Sequence, residues 1–492
     1  MQSRECSPDV LERLAGSVYF PERRLGAAIV SGICRGRDRV LYVTAPEISD
    51  ARAQVDYYLS LVPADPRERP GARADRVTLV SVPDASSQWL STKVLDAETA
   101  AGAEARSRIR DFADRQRQAG AAVMLSYYEP SAKLERFAGE LGVAGDQADS
   151  RYIRLGTKAA GRQIFAGVGI DVPPGTRECR SVDDLAEGLA DLVRLGHHKF
   201  VLKLSSTEYG GGLGNALLDL SSLRPELASS TDVASSTGLG ERIAALLPLR
   251  TVLVDTRLGW PSFAEAITRS GVVGEQLIEG AELTSPSYQG AIDAGGVVTT
   301  TSTHDQVLGS RGQVYAGSVF PARPDYRDQV IGWGLRAGRG LAELGVRGGD
   351  YGVDFVAVRT GGDWRLFGCE INLRSTATKH GFIMATSLLG VLPDASGRLM
   401  VDGTERVYHV SDGVADPRYF GLRPRQLIAA VQRSPLRYDS VSQTGVVLHM
   451  MSAAFRYAKF GALAIGTDRA EAGQLIARLR DLVTELADER AS

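Results

Sequence analysis

The chain has 492 residues, 43% of them hydrophobic and 24% charged, with a formal net charge of −2. That length accommodates roughly two to four domains with sizeable cores, while the near-neutral balance gives no electrostatic case for nucleic acid or an acidic membrane surface. No apolar run approaches the roughly 20 residues of a membrane helix, the first residues lack a basic-then-apolar leader pattern, and the four cysteines (Cys6, Cys34, Cys179, Cys369) show no metal or disulfide spacing, so a cytoplasmic protein is expected.

Residues 1–150 alternate short buried strands, at 39–43, 77–82 and 121–127, with helices at 100–118 and 134–141, which predicts a parallel α/β domain. No Gly-x-Gly-x-x-Gly occurs there, so nothing recommends a dinucleotide site. From about residue 150 an α+β pattern begins. A helix over 157–166 is followed by a strand at 200–204 bearing Lys203, then by the glycine-rich loop 209–215. Residues 221–236 are serine-rich and read as a surface excursion. A strand at 272–278 and a hairpin over 288–300 come next, and the final 90 or so residues read as a small α/β cap with a terminal helix at 470–489. The fold class is therefore α/β and α+β, divided at 1–150, 151–280, 281–400 and 401–492.

The chemistry concentrates in two predicted strands, 351–358 and 367–374. Side chains two apart on a strand share a face, so Glu370 and Asn372 project together. The polar turn 360–363 predicts an antiparallel hairpin that sets Asp354 opposite Glu370. Two carboxylates and an amide oxygen on one face imply Mg²⁺ shared with a phosphate-bearing partner; the same pattern also fits a solvated strand face. Glycines let backbone amides approach an anion, and a flexible turn would look the same. Only seven of the 57 basic residues are lysine. A lysine kept against that bias suits a compact point charge, and Lys158 and Lys203 are two of the seven.

Order and spacing of these parts resemble the ATP-grasp superfamily. Lys158 precedes Lys203 by about 45 residues, the glycine loop follows, then the stretch 273–282, then Asp354, Glu370 and Asn372. The resemblance implies a pre-grasp domain at 1–150, a lid at 151–280, a metal-binding unit at 281–400 and a cap beyond. It implies that Lys158 and Lys203 reach nucleotide phosphates beneath a loop containing Gly211, Gly212 and Gly214. Glu275 would accept the adenine amino group, Gln276 to Ile278 would line the base, and Glu282 would hold the ribose hydroxyls. Asp354, Glu370 and Asn372 would bind two Mg²⁺ ions, with Mn²⁺ as a substitute.

Within the superfamily the segments 285–289, 303–309, 317–322 and 370–374 are similar to pheganomycin-type peptide ligases, over roughly residues 150–400. That similarity implies an amino-acid or peptide acid and an amine as substrates, joined through an acyl phosphate with release of ADP and phosphate. Arg374 would hold the carboxylate or oxyanion, His304 and His380 are candidate bases for the amine, and Ser287, Arg311 and Lys379 are candidate substrate contacts. The loop 375–381 departs from the family's glycine-bearing pattern, being bulkier and carrying Lys379. Val353 stands where some relatives carry arginine, so Arg374 is the candidate for that charge. A homodimer is compatible with the separate cap. A phosphate-transfer enzyme and a non-catalytic nucleotide-binding regulator remain alternatives.

Overall fold

The computed structural model describes residues 16–36, 38–206, 212–223, 238–309, 312 and 314–491. Helix and sheet are mixed throughout, in the expected α/β and α+β class. The N-terminal stretch runs α1 (Leu25–Cys34), β1 (Val40–Thr44), α2 (Ala51–Ser60), β2 (Val77–Ser81), α3 (Ala100–Gln118), β3 (Met124–Leu125), α4 (Ala132–Leu141) and β4 (Ala144–Gly145). Two parallel ladders result, β1 with β2 and β3 with β4. α3 begins where Thr99 Oγ1 accepts the Gly102 amide at 3.0 Å, satisfying a donor the helix itself cannot. It ends on Arg115 and Arg117, against the negative end of its dipole. The strand expected over 121–127 contracts to β3, where Met124 is exposed at the ladder's edge.

α5 (Lys158–Gly167) and α6 (Val182–Arg194) precede a four-stranded antiparallel sheet. Its strands are β5 (Lys199–Leu204), β6 (Asn215–Asp219), β7 (Thr251–Leu253) and β8 (Val272–Gln276), in the order β7-β6-β5-β8, with α7 (Leu239–Arg250) and α8 (Trp260–Ser270) inserted between strands. Ser181 Oγ caps α6 through the Asp184 amide at 3.0 Å. The apolar face of that helix (Leu185, Leu189, Leu192, Val193) then buries against Phe200, Leu202 and Val272 to make this unit's own core.

A second, larger antiparallel sheet holds β9 (Leu283–Thr284), β10 (Pro286–Ile292), β11 (Val298–Gly309), β12 (Val314–Phe320), β13 (Asp350–Thr360), β14 (Asp363–Asn372), β15 (Leu399–Val401), β16 (Thr404–Ala415), β17 (Gly445–His449) and β18 (Lys459–Gly466). Its principal path is β14-β13-β10-β11-β12-β16-β18-β17. Segment 401–492, read from sequence as a cap, thus adds strands to the sheet that carries the hairpin. α9 (Pro324–Glu343) packs beneath β10 and β11, α10 (Lys379–Leu389) follows the hairpin, and α11 (Pro424–Arg433), α12 (Ser452–Tyr457) and α13 (Arg469–Ala491) flank the C-terminal strands. α9 comes so close because Gly334 and Gly338 have no side chain. A Cβ at Gly334 would lie 2.2 Å from Cγ of the buried Tyr288, and one at Gly338 would lie 2.1 Å from the Tyr351 hydroxyl. Burial of Tyr288, Tyr351 and Phe355 there stabilises by roughly 1.5–3 kcal/mol per side chain.

The two ends of the chain share one core. α1 and α2 pack with α10 and with β16 to β18, joining Leu25, Ile29 and Tyr58 to Met384, Val410 and Leu448. The Leu448 amide donates to the Tyr57 hydroxyl at 3.0 Å, and the Ser49 amide donates to Ser452 Oγ at 2.9 Å. Among the described residues, no helix is long and apolar enough to cross a membrane.

Candidate active site

The hairpin forms in the register expected from its spacing. Asp354 lies opposite Glu370 and Gly352 opposite Asn372, with Gly361 and Gly362 at φ 62° and 101° taking the left-handed turn. On the other side of β13, Ser287 pairs with Asp354, so Ser287, Asp354 and Glu370 form a row across three strands. A β-bulge between Asp354 and Phe355 interrupts the alternation and re-aims the side chains beside it. The residue that the bulge leaves unpaired is Cys369, whose thiol burial pushes up to about 12 against the pull of Lys203.

Each acid of the hairpin has a donor. Asp354 Oδ1 accepts Gln306 Nε2 at 2.6 Å and Oδ2 accepts Asn372 Nδ2 at 2.8 Å, while Glu370 forms an ion pair with Lys158. Burial, aided by the Glu370 charge, raises Asp354 to about 7. Burial also pushes Glu370 upward, but Lys158 and Arg374 outweigh it and hold that carboxyl below its ordinary value. Lys158 reaches the hairpin because α5 lies directly on β14. Thr157 Oγ1 caps the helix through the Ala160 amide at 3.3 Å, and a Cβ on Gly161 would already touch the Ile371 amide at 3.5 Å. Two carboxylates and an amide carbonyl are the hard oxygen donors that Mg²⁺ takes, so the residues present fit that ion.

The same helix reaches the smaller sheet. Arg162, four residues after Lys158 and hence on the same helical face, places Nη1 2.9 Å from Glu275 Oε1. Lys203 Nζ lies 2.6 Å from Glu275 Oε2. Burial would lower the Lys203 ammonium, but the Glu275 charge wins and raises it. Glu275 is only 2% exposed, and its two oxygens are engaged by Arg162 and Lys203. Gln276, the last residue of β8, and Ile278, just beyond it, are half-buried, and the Gln276 amide donates to the Pro174 carbonyl at 2.7 Å. Glu282 lies between Arg323 at 2.9 Å and Arg359 at 3.1 Å. Gly212 has φ 84° and Gly214 accepts the Leu204 amide at 3.1 Å; Gly211 and Arg311 lie outside the described residues.

Arg374 donates to the Tyr128 hydroxyl at 2.7 Å and stacks 5.2 Å from that ring. Arg24 stacks on the same ring at 5.1 Å. The two histidine expectations are corrected. His304 is fully buried, with Nδ1 2.7 Å from Gln289 Oε1 and Nε2 2.7 Å from the Tyr408 hydroxyl. Burial drives its pKa down to about 3, so it is a structural group and not a base for an amine. His380 is buried with Nε2 3.4 Å from Asp412 Oδ1, and burial lowers its pKa too. Neither ring is an exposed imidazole. Lys379 is ion-paired with Asp350, which also accepts Ser375 Oγ at 2.8 Å, so its charge is matched within the protein. Ser287, 1% exposed, receives Gln289 Nε2 at 3.1 Å. Sequence reasoning missed Arg162, Gln306, Tyr128 and Arg24. Only Arg162 carried a usable signal, its four-residue offset from Lys158.

The chain is similar to known proteins in sequence and in fold. Residues 153–358 match the family described as IQCH-like, ATP-grasp. The chain is 31% identical over 343 residues to an L-propargylglycine--L-glutamate ligase of Streptantibioticus cattleyicolor, a match that covers 69% of this chain and 65% of that protein. It is 27% identical over 184 residues to the IQ motif-containing protein H of Danio rerio, covering 34% of this chain and 17% of that one. The chain thus spans less than two thirds of the length of the curated relatives it matches. An N5-carboxyaminoimidazole ribonucleotide synthetase from Thermus thermophilus shares the fold, with a TM-score of 0.50 and 16% identity over 93% of this chain and 96% of that one.

Proposed function

We propose that this chain, a member of the ATP-grasp superfamily, is a carboxylate–amine ligase that joins an amino-acid or peptide acid to an amine at the expense of ATP. The observation that carries the reading is the in-register pair Asp354 and Glu370, with Asn372 beside them and Lys158 above. It is supported by the similarity to a ligase that takes two amino acids.

On this reading the unit 151–280 is the lid and 281–400 the metal-binding unit. Asp354, Glu370 and Asn372 hold two Mg²⁺ ions, or Mn²⁺ in their place, and the bound metal supplies charge neutralisation to the phosphates. Lys158, Lys203 and Arg162 are the cations for the phosphate chain. Without nucleotide they rest on Glu370 and Glu275, so the acids and cations of the site neutralise one another until substrate takes over those contacts. Backbone from Gln276 to Ile278 lines the adenine, Glu282 receives the ribose hydroxyls, and Gly212 and Gly214 belong to the loop over the phosphates. The substrate carboxylate attacks the γ-phosphorus and ADP leaves; the amine nitrogen then attacks the acyl carbon and phosphate leaves. Arg374, fixed by Tyr128, orients the carboxylate and later the oxyanion through its planar fork. No side chain needs to act as a nucleophile. The reading includes a cytoplasmic protein that acts on small molecules, without nucleic acid or membrane, and a homodimer is compatible with it.

The test is product analysis with Mg²⁺-ATP, a panel of amino acids and short peptides, and hydroxylamine as trap. ADP with an acyl hydroxamate is expected. AMP with pyrophosphate overturns the reading, and a stable phosphorylated product formed without any amine moves it to phosphate transfer.

A further inference from the structure

A second polar cluster lies in the seam between α10 and the C-terminal strands. His380 comes from the first turn of α10, Asp412 from β16 and His449 from the end of β17, and the three are 4%, 6% and 3% exposed. Asp412 Oδ1 lies 3.4 Å from His380 Nε2 and 3.8 Å from His449 Nε2, and one donor atom from each residue falls within 4.8 Å of the others. These separations exceed the 2.7–3.2 Å of a hydrogen bond. Around a tetrahedral ion with metal–ligand bonds of about 2.0–2.2 Å, donor atoms stand about 3.4 Å apart. Consistent with that spacing, His380 Nε2, Asp412 Oδ1 and His449 Nε2 are buried and have no hydrogen bond of good geometry among the described residues. Buried polar atoms are normally satisfied, so three such donor atoms, one from each residue and gathered within 4.8 Å, call for an occupant.

We propose that His380, Asp412 and His449 form a binding site for a zinc-class divalent ion, distinct from the Mg²⁺ site of the hairpin and independent of the ligase reading. Two imidazoles and one carboxylate suit Zn²⁺ and its neighbours in the transition series and not Mg²⁺, which prefers oxygen. Asp412 is already oriented for the role. Its other oxygen, Oδ2, accepts Arg23 Nη1 at 2.9 Å, the outer contact that fixes a ligating carboxylate. That guanidinium also offsets the carboxylate charge, so imidazole coordination supplies most of the affinity. His380 lines a cavity of about 1080 Å³, which gives the ion and a completing water a way in. The bound ion ties the start of α10, and through it the loop bearing Arg374, to β16 and β17.

The full chain, freed of metal by chelator, is titrated with Co²⁺ while the visible d–d band of a low-coordinate cobalt site is followed. One Co²⁺ per chain, displaced by Zn²⁺ and unmoved by excess Mg²⁺, is expected; wild-type protein without the band overturns the proposal. His449→Ala should weaken Co²⁺ binding by at least about 100-fold, whereas His197→Ala, on a loop elsewhere, should leave it intact. An equal band in His449→Ala also overturns the site. Should His449→Ala fail to fold, Zn²⁺ must raise the Tm of the metal-free wild type at micromolar concentration, and an unchanged Tm counts against the site.

Discussion

The hairpin at 350–372 and the seam formed by α10, β16 and β17 both gather carboxylates and nitrogen groups, yet they treat unpartnered atoms in opposite ways. At the hairpin Asp354 receives Gln306 and Asn372, and Glu370 receives Lys158. In the seam one carboxylate oxygen and two imidazole nitrogens have no such partner among the described residues. A site whose ligands come and go must keep its charges balanced while it waits, because an unpaired buried charge costs several kcal/mol. A site with a resident ion directs its lone pairs at that ion and needs no other donor. Donor satisfaction, together with residue type, separates the two.

The sharpest way to break that contrast is Glu370→Ala. ADP formation should fall at least about 1000-fold with the far-UV circular dichroism unchanged; an active variant would remove Glu370 from the metal. Lys203→Ala comes next. The ATP dissociation constant should rise about 10- to 100-fold, because the lost ammonium is a charged phosphate contact, and Tm should also drop because Glu275 loses a buried partner. An unchanged constant by calorimetry would detach Lys203 from the phosphates. Gly334→Ala asks whether the hairpin's geometry depends on α9 packing so closely. Overpacking against Tyr288 should cost about 2–3 kcal/mol in denaturant unfolding, and a neutral result would mean that the ring has room to move.

The smallest expected effect concerns pH and the seam. Glu22 is buried and accepts the Ser452 amide at 2.9 Å. Burial lifts its pKa from 4.5 to about 7, although Ser452 pulls the other way. A carboxyl with a raised folded-state pKa contributes stability that is full below its unfolded value and is lost as pH rises through the folded one. Wild-type stability should therefore decline between about pH 4.5 and 7 on this account. Glu22→Gln should flatten that decline and leave the variant the more stable of the two above pH 7. Parallel pH profiles for the two proteins would contradict the assignment.

The hairpin was legible in the sequence because everything needed is local: a Glu-x-Asn in a strand, an acid 16 residues upstream and a polar turn between. Lys158 and Lys203 stood out against an arginine background. What the pattern could not carry was non-local. Nothing in the stretch 303–309 says that His304 is enclosed by Gln289 and Tyr408, the latter 104 residues away. The pairing of Lys379 with Asp350, 29 residues earlier, is equally non-local. The bulge that leaves Cys369 unpaired needs the opposite strand's register to be seen. The C-terminal segment reads as a cap in the sequence, and only pairing of β12 with β16 shows that its strands extend the hairpin's sheet. His380, Asp412 and His449 come from three elements, and no spacing announces them.

The core shared by the two ends of the chain has a consequence for biosynthesis. α1 and α2 emerge from the ribosome first, but their packing partners are β16 to β18 and α12, with Ser49 and Ser452 separated by 403 positions. At translation rates of about 5–20 residues per second, the apolar faces of these helices wait on the order of 20–80 s for the strands that cover them. The core around α1 and α2 therefore closes only once β16 to β18 have been made.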